Sequence, residues 1–245
     1  MLNKLILDFG NSLHKAAVVD NGNMVFFSNY PSFNLNALKQ LEKEFQFKNV
    51  LLSSVIQADN ILEEYLHKHY SFLKLSEKTP LPIINQYQSP ETLGYDRIAC
   101  AVAANHLFPQ HSVLTVQFGS CITFDLVNAQ KAYKGGSIAP GLKMRFNALH
   151  QFTQKLPLLD YKPIDFLVGT NTEESILSGV INGIVNECNG IINAYHERYP
   201  NLKVIVSGGD SSYFDKLLND EIITYPNLVM LGLSLILNHN VEKQN

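Results

Sequence analysis

The opening of the chain alternates short apolar runs with polar turns, which predicts a strand meander. Lys4 to Leu7 reads as a short buried strand and Asp8-Phe9-Gly10-Asn11-Ser12 as the tight turn after it, with Leu13 to Val19 as the next apolar run. Asp20-Asn21-Gly22 is a hairpin signal because Asn and Gly tolerate positive φ, and Met24 to Phe27 forms the returning strand. Much the same pattern returns later. Val113 to Val116 reads as a strand, Gln117-Phe118-Gly119-Ser120 as a turn, Cys121 to Val127 as a strand and Asn128-Ala129-Gln130 as a turn. Phe9 and Phe118 lie 109 residues apart, nearly half the chain, so the repeat predicts a duplication into two related α/β halves.

Helical spacing fills the intervals at Leu38 to Phe45, Ile61 to His69 and the Ala-rich Leu93 to Leu107, which stops before Pro109. The clearest helix runs from about Glu173 to Tyr195, with Ile176, Val180, Ile184, Cys188 and Ile191 stepping at three and four. Asn171 and Thr172 with Glu173 and Glu174 make its capped start. Gly179 and Gly183 cost helicity and predict close packing of another helix. The boundary between the halves is expected between Leu107 and Ser112, giving domains 1–110 and 111–245.

With 245 residues, 46% apolar and 17% charged, the composition describes a globular chain able to bury a core. Nineteen Lys+Arg against twenty-two Asp+Glu leave no basic surplus, which argues against broad nucleic-acid binding. Cys100, Cys121 and Cys188 have no metal-ligand spacing and read as reduced thiols. The apolar start is cut by Asp8 and Gly10, and Leu228 to Leu237 is about half the ~20 residues of a bilayer span, so a cytoplasmic protein without membrane attachment is expected.

Candidate chemistry gathers at glycine turns. The Asp8 to Ser12 turn joins a carboxylate to small residues whose amides can cradle phosphates, and Asp8 could hold Mg²⁺ through its water shell while Lys15 reaches a phosphate. Taken alone, a plain hairpin turn with an Asx bond is the better explanation of this motif. Ser207-Gly208-Gly209-Asp210 after Val204-Ile205-Val206 is a third such turn, where side-chain-free backbone admits a flat base or ribose. Gly135-Gly136-Ser137-Ile138-Ala139-Pro140-Gly141 reads as a Gly-rich turn before an amphipathic helix carrying Leu142, Phe146 and Leu149. In Tyr87-Gln88-Ser89-Pro90-Glu91-Thr92-Leu93-Gly94-Tyr95-Asp96-Arg97, Asp96 and Arg97 open a helix, where the dipole keeps a carboxylate ionised and Arg can grip an anion bidentately. Neither a Walker A sequence nor GxGxxG occurs, and His67 and His69 are two apart and share no helix face.

In order and spacing these segments resemble the type III pantothenate kinases, members of the actin-like, sugar-kinase and heat-shock-chaperone ATPase superfamily. The resemblance includes Asp8 to Ser12, Ser53-Ser54-Val55, Tyr87 with Gly94 to Arg97, Gly135 to Gly141 and Lys155-Leu156-Pro157. It continues through Gly169-Thr170-Asn171-Thr172, the Gly179/Gly183 helix and Ser207 to Asp210. It implies an α/β fold of two related ribonuclease H-like halves, mixed sheets flanked by helices with a cleft between them. The implied activity is ATP-dependent phosphorylation of the pantothenate 4′-hydroxyl, the first step of coenzyme A biosynthesis, by a cytoplasmic homodimer.

By the same resemblance, Asp8, Phe9, Gly10, Asn11, Ser12, Leu13, His14 and Lys15 form the ATP phosphate loop, with Ser120 also near ATP. Tyr87, Gly94, Tyr95, Asp96, Arg97 and Thr172 bind pantothenate, and Asp96 is the catalytic base. Implied cofactors are Mg²⁺, held by Asp8 through water, and a monovalent cation, K⁺ or NH₄⁺. For the latter, Gln117 stands where the family has Asp, and Ser120-Cys121 replace its usual Thr-Ala, while Asp125 keeps its place. The Gln117 departure leaves open a non-catalytic relative of the Bvg accessory factor type, acting in regulation. A sugar-type kinase on the same scaffold is a third reading.

Overall fold

A computed structural model describes residues 3–11, 13–56, 59–219 and 221–242. The chain divides into two compact units, residues 1–103 with 229–245 and residues 104–228. This division falls at 103/104 rather than at 110/111, and it assigns residues 229–245 to the first unit.

In the first unit, β1 (Asn3–Phe9), β2 (His14–Asp20) and β3 (Asn23–Tyr30) form the expected antiparallel meander. Helix α1 (Leu35–Glu44) leads to β4 (Phe47–Ser54), and α2 (Asn60–His69) leads to β5 (Ser71–Lys74). The sheet order is β3-β2-β1-β4-β5, with β4 parallel to β1 and β5 parallel to β4. Strand β1 runs two residues further than its apolar run, so Asp8 and Phe9 are strand residues and the turn proper begins at Gly10. Pairing with β2 continues through Asp8 opposite Lys15 and Phe9 opposite His14, so the ladder overrides the turn propensity. A two-residue strand β6 (Ile84–Asn85) and a 3₁₀ turn at Pro90–Thr92 precede α3 (Tyr95–Leu107).

The second unit repeats the plan. β7 (Val113–Phe118), β8 (Cys121–Val127) and β9 (Ala132–Pro140) form the antiparallel meander. Helices α4 (Leu142–Gln151) and α5 (Thr172–Arg198) lead to β10 (Lys203–Ser207), then a one-turn α6 (Ser211–Phe214) and β11 (Ile222–Thr224). Within this unit the strand order is β9-β8-β7-β10-β11, with β10 parallel to β7 and β11 parallel to β10. Strand for strand this is the order and direction of the first sheet, so the duplication expected from the two Phe-Gly turns is present.

The Gly135 to Gly141 segment is not the turn its composition predicts: most of it is strand β9. Gly135 adopts φ +87 at a register shift, and a Cβ at Gly136 would stand 1.6 Å from the Phe124 carbonyl oxygen of β8. These glycines permit a bulge and a close strand approach.

Strand periodicity sorts the two faces of each sheet. Leu5, Leu7 and Phe9 join Leu38, Leu41, Leu62 and Leu66 of α1 and α2 in one core. Leu114, Val116 and Phe118 join Phe146 of α4 and Leu177, Ile181 and Ile184 of α5 in the other. Each such side chain contributes about 1.5–3 kcal/mol when fully buried. Asp8 and Gln117, at odd register to these, fall on the opposite face of their sheets.

The apolar 228–237 stretch forms α7 (Leu228–Glu242). A Cβ at Gly232 would sit 1.9 Å from the Ala99 carbonyl oxygen, so α7 packs backbone to backbone on α3. Lys4 Nζ donates to Asn238 Oδ1 and Asn240 Nδ2 donates to the Pro80 carbonyl at 2.9 Å. Among the described residues, no helix is long and apolar enough to cross a membrane.

Candidate active site

Asp8 is the penultimate residue of β1, with its side chain only 13% exposed. Ser53, its register partner on parallel β4, donates from Oγ to Asp8 Oδ1 at 3.1 Å, and Lys15 Nζ stands 3.8 Å from Oδ2. Burial pushes the Asp8 carboxyl above the usual value of 3.8; Lys15 opposes that shift, Asp96 adds to it, and Ser53 and His14 oppose it. Two carboxylates therefore bear on one another in a dry setting, which a bound cation would relieve.

The turn after Asp8 is closed by Gly10 N–H donating to the Leu13 carbonyl at 3.1 Å. Phe9 is buried in the core, leaving only its backbone for a ligand, whereas Asn11 and Leu13 are exposed. Ser12 lies outside the described residues. The His14 ring stacks on Phe9 with centroids 4.1 Å apart, and its Nδ1 accepts from the Phe33 amide at 3.0 Å. Burial holds its pKa below 6.5, consistent with a neutral ring protonated on Nε2.

Asp96 and Arg97 occupy the first turn of α3, where the sequence puts them. Gly94 precedes the helix and its carbonyl accepts from the Arg97 and Ile98 amides at 3.2 and 3.3 Å. Asp96 Oδ1 accepts from the Arg97 amide at 2.9 Å, so the helix start orients the carboxylate. Arg97 is 5% exposed, with its guanidinium 5.5 Å from the centroid of the Tyr87 ring, in cation–π range. The Tyr87 amide is held by Asn85 Oδ1 at 3.0 Å. Tyr95 lines a separate small recess with Leu75, Pro90 and Ile98. The first unit thus brings Asp8, Lys15, Ser53 and Asp96 into one electrostatic group and stacks Arg97 on Tyr87.

In the second unit three glycine turns meet. A Cβ at Gly141 would lie 2.3 Å from the Gly119 carbonyl oxygen and 2.4 Å from that of Ser120, and the Gly141 amide donates to Ser120 at 3.2 Å. Gly208, at φ +99, would place a Cβ 2.1 Å from the Phe118 carbonyl oxygen, and the Asp210 amide donates to that carbonyl at 3.3 Å. Only glycine allows the 118–120 turn, 141 and 208–210 to approach this closely, and open space remains above Gly209. Gln117 pairs in register with Thr123 and with Ser207, as Asp8 pairs with Lys15 and Ser53, so Gln117 is the internal counterpart of Asp8.

Thr172 is the first residue of α5 and lines a different recess, a groove of about 1010 Å³ with Arg145, Phe152, Leu156, Gly169 and Gly179. Phe152 is 87% exposed beside it, and Leu167 and Val168 are 75% and 76% exposed. Contrary to the close packing expected of Gly179 and Gly183, nothing among the described residues lies within 4 Å of a Cβ at either, so this stripe of α5 faces outward.

Ser53 is the site residue least visible in the sequence. Its signal was a serine pair ending an apolar run, and only strand pairing shows that Ser53 meets Asp8. Among the described residues no group of three or more His, Cys, Asp or Glu could hold a metal. The carboxylates present suit a cation that keeps most of its water and phosphate ligands, as Mg²⁺ does.

The sequence family model for type III pantothenate kinase matches residues 4–194. The chain is 40% identical over 237 residues to the type III pantothenate kinase of Phocaeicola vulgatus, covering 96% of this chain and 98% of that one. It is 41% identical over 246 residues to that of Christiangramia forsetii, with the same coverage. Among solved structures, a glucokinase from an Antarctic psychrotroph superposes with a TM-score of 0.54 at 10% identity over 98% of this chain and 99% of the other, a likeness of fold alone. That likeness and the twice-repeated sheet give the actin-like ATPase fold of two ribonuclease H-like halves. The whole-length identity shows that the chain belongs to the type III pantothenate kinase family, the enzymes that phosphorylate pantothenate in coenzyme A biosynthesis.

Proposed function

We propose that Asp96 is the group that takes the proton from the pantothenate 4′-hydroxyl as it attacks the γ-phosphorus of ATP. Phosphoryl transfer depends chiefly on positioning and charge neutralisation. The first turn of α3 supplies the positioning: Asp96 is oriented by the Arg97 amide, and Arg97, steadied on Tyr87, fixes the acceptor beside it. Asp8 and Lys15 handle the triphosphate, Lys15 exchanging its carboxylate partner for a phosphate oxygen. Asp8 would hold magnesium through the ion's water shell, and the ion would supply charge neutralisation to the triphosphate. Ser120 and the turns at Gly141 and Gly208–Asp210 offer the nucleotide a backbone-lined surface.

The monovalent-cation site fits this chain less well. Gln117 offers a neutral oxygen, and its register partners Thr123 and Ser207 add only neutral hydroxyls, so K⁺ or NH₄⁺ is held weakly at most. The apolar groove at Thr172 and the outward glycines of α5 support a homodimer with its interface there, in a cytoplasmic enzyme.

The observation that carries this reading is the Gly94–Asp96–Arg97 helix start bearing on Asp8. Its test is Asp96→Asn in a steady-state assay of pantothenate phosphorylation. The expected result is a fall in kcat of at least about 100-fold with nucleotide affinity retained. An unchanged kcat removes Asp96 from the chemistry.

A further inference from the structure

We infer that His14 is a positioning residue for the nucleotide, acting by pinning the strand ends that carry the phosphate turn rather than by touching the reacting atoms. The inference rests on the reading of the Asp8–Lys15 hairpin as the phosphate loop. Two independent contacts hold the ring. It lies flat on Phe9, its cross-strand partner, at 4.1 Å and 15° between planes. Its Nδ1 accepts the Phe33 amide at 3.0 Å, from the segment between β3 and α1. Phe33 is itself buried, packed on Phe9 at 6.0 Å and edge-on to Tyr30 at 5.0 Å.

The hairpin is therefore fastened on one side to the hydrophobic core through Phe9 and on the other to a backbone amide ahead of a helix. Both strand ends, Asp8-Phe9 and His14-Lys15, are fixed relative to each other, and the Asp8 and Lys15 side chains project from them. An aliphatic residue at 14 keeps the ladder but leaves the Phe33 amide without its acceptor. The turn then samples orientations that must be lost again when triphosphate binds, a cost that appears in nucleotide affinity more than in turnover.

The test compares His14→Ala, His14→Asn and Lys15→Ala in the full-length protein, by steady-state kinetics and by direct titration with ATP. Asn carries its side-chain oxygen at the same distance from the backbone as Nδ1 and can still accept from Phe33. His14→Ala is expected to raise KM and Kd for ATP by about 3- to 10-fold, the effect of one neutral hydrogen bond, with kcat and the pantothenate KM changed less. His14→Asn is expected to recover most of that loss. Equal falls in kcat for both variants with ATP affinity unchanged would overturn the role of His14. A weakened Lys15→Ala beside an unaffected His14→Ala refutes this inference alone, whereas ATP affinity unchanged in both refutes the phosphate-loop reading beneath it.

Discussion

Gly94→Ala displaces the Asp96 carboxylate while leaving the Arg97 side chain in place. A Cβ at Gly94 would stand 2.6 Å from Asp96 Oδ1, while its next contacts, Cδ and Cγ of Arg97, are at an ordinary 3.7 Å. The carboxylate must withdraw by about 0.8 Å to reach normal van der Waals separation, and Arg97 has no reason to leave Tyr87. The positive-φ glycines are Gly22, Gly135 and Gly208, so Ala fits the backbone at 94 without strain. The fold loses at most about 1 kcal/mol from the poorer cap, or roughly 2–4 °C in Tm for a chain of this size. Misplacement by about 1 Å costs on the order of 100-fold in rate, so kcat/KM for pantothenate should fall by about 30- to 100-fold. The assay is ADP release coupled to NADH oxidation, with ATP and pantothenate varied separately and Tm measured on the same preparations. The KM for ATP should stay near the parent value. If kcat/KM stays within about threefold of the parent at matched Tm, the orientation of Asp96 does not limit the reaction and the assignment built on it fails.

Asp8→Asn should abolish turnover yet raise stability in magnesium-free buffer. Because the folded-state pKa of Asp8 is raised, its charge destabilises the fold increasingly as pH climbs from the ordinary 3.8 through the folded value. The Tm gain should therefore be present at about pH 7 and vanish near about pH 3; an equal gain at both refutes the electrostatic cause. Gly183→Leu improves helix propensity on a face that no other described residue covers, so the single chain should keep its stability while a dimer packed on α5 dissociates. Light scattering after size exclusion reads the outcome, and a dimer that survives the substitution places the interface elsewhere.

What could be read from the sequence was local. Two Phe-Gly turns flanked by apolar runs revealed the duplicated meander because a strand's period of two and a glycine turn each occupy only a few residues. The same locality placed Asp96 and Arg97 at a helix start and Asn171 at the cap of α5, where its Oδ1 accepts from Glu174 N at 2.9 Å. Other features depended on partners distant in sequence. Gly232 looked like one more small residue in an apolar run, yet it lets α7 lie against Ala99 of α3 and carries the C-terminal helix into the first unit. The glycines of β9 carried turn composition, but pairing with β8 decided their conformation. Gly141 and Gly208 were visible as glycines, whereas their contact with the 118–120 turn required the fold. The internal equivalence of Asp8 and Gln117 joins both kinds of information. The 109-residue offset suggests it, and strand register fixes it, since each faces a serine on the adjacent parallel strand. One duplicated position has therefore kept a buried carboxylate beside a lysine, and the other has an amide beside a threonine. The first unit's hairpin thus carries charge at this position, while its equivalent in the second unit carries only neutral oxygens.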